Sequence, residues 1–248
     1  METYKSKRHS LLLFARVFFL ILLFLLAGLC TFFLSSRLTP RSVDAIAHPP
    51  LVILDAGHGG EDGGAVGTNG VLEKDLNLAV ANELADLLRK EGVEVILTRT
   101  EDALLYSDEE NVYGQRKKND LKNRLAVAKA HPDALFVSIH MNTFSVAKYS
   151  GLQVYYAATQ GSRELAGAVQ GAVRDRLQPD NRRVPHAASS SIYLLHNAVG
   201  TSILIECGFL SNPEECELLS QKDYQSRLCF SVFCGMMEYI EKMGGSLP

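Results

Sequence analysis

This sequence lacks a basic field, a cysteine pair and a phosphate-binding loop. Acidic residues slightly outnumber basic ones, for a formal net charge of −3, so no positive face points to nucleic acid. The five cysteines, Cys30, Cys207, Cys216, Cys229 and Cys234, form no C-x-x-C pair and no disulfide framework of the small-domain kind. Cys229 and Cys234 share a predicted helix and read as small packing side chains, while a disulfide at Cys216 stays open. G-x-G-x-x-G is absent: the glycine-rich stretch reads G-H-G-G-E-D-G-G, with His58 where a dinucleotide loop keeps a small residue. Beyond residue 50 there is no repeat and no low-complexity tract. With 47% hydrophobic and 21% charged residues, what remains is the composition of an ordinary folded protein.

The N-terminus is the exception. Val17–Leu34 reads VFFLILLFLLAGLCTFFL, without a charge. As a helix it would span about 27 Å, close to a bilayer core of about 30 Å. Lys5, Lys7, Arg8 and Arg16 precede it, which places the N-terminus in the cytoplasm and the rest outside. A cleaved signal peptide is the rival reading, and the protein would then be secreted. However, Ala45-Ile46-Ala47 lies far past the apolar run, and Leu29 is bulky for a lipoprotein site at Cys30. An uncleaved anchor is the favoured expectation. The expected organisation is a basic flank and transmembrane helix over 1–36, a proline-containing linker over 37–50, one catalytic domain over 51–243 and a tail over 244–248.

From Leu51 the chain alternates short apolar runs with amphipathic stretches. Leu51–Leu54, Val93–Thr98, Ala134–Ile139, Gly151–Tyr156 and Thr201–Ile205 read as strands. Lys74–Glu91, Gln115–Ala130, Ser162–Leu177 and Asp223–Met243 read as helices, the first with apolar residues at helical spacing and Gly92 just past its end. Strands alternating with helices predict an α/β class single domain with a mostly parallel sheet flanked by helices. In such sheets, sites gather at the carboxyl ends of strands.

Chemistry-bearing residues stand at those ends. Asp55-Ala56-Gly57-His58-Gly59-Gly60 follows the first strand, His140 follows ALFVSI, Glu206 follows TSILI, and Glu73 starts the first helix. Taken singly, each has a plain structural reading: a turn histidine, a helix-dipole acid, a half-buried histidine, a strand-end acid. Taken together, two imidazoles and a carboxylate with one open position form a catalytic zinc pattern, and a further carboxylate off the metal would serve as general base.

These residues also carry a resemblance. DAGHGGEDGGAVGTNGVLEKDLNLAVA, VEVILTRTED, NDLKNRLAVAKAHPDALFVSIHMN and ILIECGFLSNPEE, in that order, resemble the zinc-dependent N-acetylmuramoyl-L-alanine amidases from Leu51 to Met243. The resemblance implies Zn²⁺ as cofactor, ligands at His58, Glu73 and His140, and the catalytic carboxylate at Glu206. It implies peptidoglycan as substrate, cut between the muramic acid lactyl group and L-alanine. The N-terminal apolar run, the absence of wall-binding repeats, Tyr113–Arg124 (YGQRKKNDLKNR) and Ser190–Ala198 (SSIYLLHNA) resemble the spore-cortex members. That implies sporulation and germination, a catalytic domain outside the cytoplasmic membrane facing the forespore intermembrane space, and a product passed on toward muramic-δ-lactam. In some relatives a lipoprotein promotes zinc binding, and such an activating partner stays open here. One departure is Ala56, where the family turn commonly has proline.

Several neighbours have two readings. Asp55 either orients a ligand histidine or caps the glycine turn, and Asn142 either holds substrate or orders its loop. Arg124 reads as a solvated salt-bridge residue on a charged helix face. His186 and His196 read as surface histidines. Strand alternation turns Cys207 away from Glu206, so it reads as core rather than nucleophile. Rival functions are another extracytoplasmic zinc hydrolase (a carboxypeptidase or deacetylase, with Arg124 or Arg182 gripping a free C-terminus) and a silent wall-binding module.

Overall fold

The computed structural model describes residues 50–244, together with Phe19, residues 22–26 and Gly28. The chain divides into two compact units, Met1–Ile46 and Ala47–Pro248. The expected anchor, linker and tail lie outside the described residues except for the helical positions just named, Pro50 and Gly244. Among the described residues no helix is long and apolar enough to cross a membrane.

In the second unit the elements run β1 (Leu51–Ala56), α1 (Glu73–Lys90), β2 (Glu94–Leu97), a short 3₁₀ turn (Asp108–Glu110), α2 (Arg116–Ala130), β3 (Leu135–Asn142), β4 (Gln153–Tyr156), α3 (Ser162–Arg176), β5 (His186–Ala187), α4 (Tyr193–His196), β6 (Ser202–Phe209), α5 (Pro213–Ser220) and α6 (Lys222–Lys242). Six strands form one sheet in the order β2-β1-β3-β6-β4-β5.

The predicted parallel sheet holds for β2, β1, β3 and β6. By contrast β4 runs antiparallel to β6, and β5 is parallel to β4. The reason is the connection. Only residues 143–152, with no helix among them, join β3 to β4, whereas parallel strands need a crossover of a dozen residues or more.

Side-chain alternation splits the sheet into two unlike faces. Val52, Leu54 and Ala56 of β1, Leu135, Val137, Ile139 and Met141 of β3, and Ile203, Ile205 and Cys207 of β6 enter the main core with Leu76, Val80 and Leu84 of α1, Leu165 and Val169 of α3, and Leu228, Val232 and Met236 of α6. Ile53 and Phe136 point the other way, onto Leu125 and Ala128 of α2. Asp55, Ser138, His140 and Glu206 fall on this second face by the same count of two.

Cys207, Cys216 and Cys229 are buried, and with Cys234 they are all free thiols; the Cys216 Sγ–H donates to Asn69 Oδ1 instead (3.2 Å). Burial pushes the Cys207 thiol well up, so it packs as expected and cannot serve as a nucleophile. Three elements were not anticipated. β5 and α4 are too short to show a period. The start of α5 was legible: Asn212 caps it by accepting from the Glu215 N–H (3.0 Å), with Pro213 in the first turn.

Candidate metal centre

β1 ends in a turn whose shape depends on glycine. The Gly57 N–H donates to the Ile139 carbonyl (3.0 Å), and a Cβ at Gly57 would overlap the His140 ring. The next residue, His58, has φ +62° and is the single non-glycine residue with positive φ among the described residues. For an L side chain with a Cβ this costs roughly 1 kcal/mol, so contacts must hold it there. Gly59 and Asp62 exchange backbone hydrogen bonds at 3.0 Å. That folds Asp62 back so that its Oδ2 lies 2.9 Å from His58 Nδ1. With Nδ1–H donating to the Asp62 carboxylate, His58 Nε2 is left facing inward, 3.3 Å from Glu73 Oε1.

Glu73 is the first residue of α1 and is buried. Its Oε2 accepts from the Ala65 N–H (2.8 Å), while Oε1 accepts from the Met141 N–H (3.1 Å) and lies 2.9 Å from His140 Nδ1. Gly64 closes the turn over the pair: a Cβ there would come within 2.6 Å of Glu73 Oε2. One ligand atom each from His58, Glu73 and His140 lies within 4.8 Å of the others.

Glu206 stands beside this cluster. In the β3–β6 ladder its register partner is His140, since both strands extend past the apolar runs that marked them. Its Oε2 is buried and has no hydrogen-bond partner among the described residues. Burial, against the opposing pull of His140, pushes the carboxyl up to about 7. Glu73 behaves oppositely: burial raises it, but the two histidines outweigh that and hold it well below the usual carboxylate range. For His58 burial acts downward, yet the hydrogen bonds to Asp62 and Glu73 prevail and push the ring up to about 9. Two imidazoles, one bonded carboxylate and one orphaned buried carboxylate fit a metal site with a general base at its edge. Both histidines converge on the Glu73 carboxylate, and beside them Glu206 Oε2 is desolvated with no hydrogen bond to offset that cost.

All four predicted site residues are therefore brought together. The supporting residues differ from expectation. Asp55 orients no histidine: Thr98 Oγ1 (2.8 Å), Ser138 Oγ (2.6 Å) and Arg124 Nη1 (2.7 Å) take its carboxylate. Arg124 is not solvated. It is 1% exposed because α2 lays this one charged position against the polar end of β1. It therefore cannot grip a substrate carboxylate. His186 and His196 are exposed, as read, and neither belongs to the metal-ligating group, while the His186 ring packs beside Tyr155. Asn142 ends β3, where its backbone carbonyl accepts from the Leu210 N–H (2.8 Å). Two supports were missed. Asp62 was visible four residues past His58, and Arg99 donates to the Ala56 and Gly57 carbonyls (2.8 and 3.1 Å). Arg99 shows no local pattern, since it reaches the turn from the strand next door.

The chain is also similar to known proteins. A family model described as N-acetylmuramoyl-L-alanine amidase matches residues 52–237. The germination-specific N-acetylmuramoyl-L-alanine amidase of Bacillus subtilis (strain 168) is 37% identical over 195 residues, 78% of this chain and 81% of that protein. Among solved structures, the CwlD amidase of Clostridioides difficile, in complex with the GerS lipoprotein, matches with TM-score 0.73 and 39% identity over 78% of this chain and 99% of that one. The amidase AmiC2 of Nostoc punctiforme follows the same fold with TM-score 0.66 and 30% identity, over 77% of this chain and 97% of that one. With the match running from β1 into α6 and enclosing every residue of the cluster, this chain belongs to the N-acetylmuramoyl-L-alanine amidase family.

Proposed function

We propose that the chain holds one zinc ion with His58 Nε2, the Glu73 carboxylate and His140 Nδ1, and hydrolyses the amide between the muramic acid lactyl group and L-alanine with Glu206 as general base. The observation that carries this reading is the buried, partnerless Glu206 Oε2 in register with His140. When bound, zinc supplies Lewis acidity, polarising the scissile carbonyl and making nearby water easier to deprotonate. Asp62 keeps the Nδ1 proton of His58 and so presents its Nε2 lone pair inward. Backbone N–H groups of Ala65 and Met141 fix the Glu73 carboxylate. Glu206 takes the proton from the attacking water and returns it to the leaving amine, and a carboxyl group near neutrality suits both directions.

The germination-specific relative supports spore cortex as the substrate, with product destined for muramic-δ-lactam. The GerS lipoprotein in the Clostridioides difficile complex supports a lipoprotein partner here. The charge-free run at 17–34 with its basic flank supports a membrane anchor holding the catalytic domain outside the cytoplasm. The test is digestion of purified cortex peptidoglycan by the full chain, with zinc counted by elemental analysis and products read by mass spectrometry. Free stem peptides beginning at L-alanine, with one zinc per chain, are the expected outcome. Bound zinc with the lactyl–alanine bond intact, with and without a lipoprotein partner, refutes the bond assignment.

Zinc affinity should also depend on pH in a defined direction. In the metal-free chain His58 carries a proton up to about pH 9, and a ligand imidazole must be neutral. Each bound zinc therefore displaces a proton, and affinity rises by up to about tenfold per pH unit between neutrality and pH 9. The stability side has the opposite sense. The charged His58–Asp62–Glu73 contacts stabilise the metal-free fold fully below the unfolded pKa of 6.5, and that contribution is lost as pH rises through about 9. Chelator competition across this range checks it, and a flat profile rules out His58 as a protonated apo ligand.

A further inference from the structure

The charged segment 113–124 sets Lys117 against the Asp62 carboxylate (2.9 Å) and supplies the largest fully buried side chain among the described residues, Arg124. All its donor nitrogens are used. Nε donates to Asp120 Oδ2 (2.8 Å), one turn back on α2; Nη1 donates to Asp55 Oδ1 and to the Ala56 carbonyl (both 2.7 Å); Nη2 donates to the His58 carbonyl (2.8 Å). The two carbonyls flank Gly57, the point where the chain leaves β1 and enters the left-handed turn. Asn77 and Arg99 also reach this turn, Asn77 at the Gly57 carbonyl and Arg99 at the Ala56 and Gly57 carbonyls. Among the described residues, Arg124 is the one side chain that holds the backbone of His58 itself.

We propose that Arg124 is a positioning residue for the metal centre: its guanidinium fork, fixed by Asp55 and Asp120, locks His58 in its left-handed conformation so that Nε2 points at Glu73 and His140. The inference rests on the zinc-ligand assignment above. A guanidinium is needed because three directions must be met at once from a planar, permanently charged group. A lysine at this place keeps the charge but offers one nitrogen, which cannot reach the Asp120 carboxylate, Asp55 and both carbonyls together. The paired acids matter equally, since they orient the fork from the side away from the turn. Asp55 is further tied to Thr98, just past β2, and to β3 through Ser138. The clamp therefore joins β1, the end of β2, β3 and α2 at the turn that carries the metal ligand.

The test measures zinc affinity of the full chain by chelator competition, in wild type, His58→Ala, Arg124→Lys and the double variant, with near-ultraviolet circular dichroism reporting folding of the metal-free chain. Wild type binding zinc and His58→Ala weakening it establish the ligand assignment first; if either fails, that assignment fails and not the clamp. Arg124→Lys is expected to weaken zinc by about 10–100-fold, the range for groups that orient metal ligands, with no further loss in the double variant beyond His58→Ala alone. A purely structural arginine would lower the melting temperature and leave the affinity of the folded chain unchanged. Wild-type affinity in folded Arg124→Lys overturns the proposal, and so do losses that multiply in the double variant. Should Arg124→Lys not fold, Asp120→Asn decides: it keeps both carbonyl contacts but loosens the fork. A loss of about tenfold supports the clamp, and unchanged affinity overturns it.

Discussion

Replacing Glu206 with glutamine leaves zinc in place and lowers kcat/KM by about 10²–10⁴-fold, the usual worth of a positioned general base. The substitution is close to isosteric, and the oxygen it alters has no hydrogen-bond partner to lose. No structural contact is broken, so the loss reports the proton transfer itself. Stability gives an independent reading. Burial holds Glu206 up to about 7, so in the metal-free chain the wild-type carboxyl weakens the fold progressively from its unfolded pKa near 4.5 to about pH 7 and then by a constant amount. Glutamine removes that penalty, and metal-free Glu206→Gln should melt higher than wild type above pH 7. Steady-state hydrolysis of a defined muropeptide, zinc analysis and melting curves check the three outcomes. A variant with most of its activity left would remove Glu206 from the mechanism.

His140→Ala produces the other large effect, and a different one. It deletes one of three donors and removes the partner that lies 2.9 Å from Glu73 Oε1. It also opens space beside Gly57, whose missing Cβ exists to admit that ring. Zinc is expected to fall from one ion per chain to a small fraction of that. Activity falls with it, because two protein donors do not make the three-ligand catalytic site. His186→Ala and His196→Ala, on exposed side chains outside the group of metal-ligating residues, keep zinc. Elemental analysis of the three variants beside wild type separates a metal ligand from a surface histidine. Full zinc occupancy in His140→Ala would require a different donor set.

The two variants together dissect the site in a way neither does alone. One keeps the metal and loses the proton carrier; the other loses the metal with the carrier intact. If both lost zinc, Glu206 would be a ligand, and its orphaned oxygen would be explained by coordination rather than by base chemistry.

Much of this was legible without coordinates. The short apolar runs Leu51–Leu54, Ala134–Ile139 and Thr201–Ile205 mark strands, and strand alternation turns Cys207 away from Glu206. The glycines around His58 announce a tight turn, and Gly92 the end of α1. These features are local, and local backbone chemistry fixes them wherever the chain goes. Four separated blocks in order carried the family, three of them holding the four chemistry-bearing residues.

What only the tertiary structure decided is which groups meet across the sheet. Arg124 reads as one more charge on a charged helix, yet the fold sets it against the β1 end, where Asp55 and two carbonyls make burial favourable. Asp55 reads as a partner for histidine and instead becomes that arginine's counter-charge. Asp62 takes the orienting role because a backbone exchange with Gly59 bends it back. β4 turns antiparallel because its connection is too short for a crossover. The sequence by itself determined the element types, the turn and the four chemical residues, because each depends on neighbours in the chain. Their supporting shell was decided largely by packing, because buried Arg124 needs, besides Asp120 one turn away, partners that the chain brings from 66 to 69 positions away.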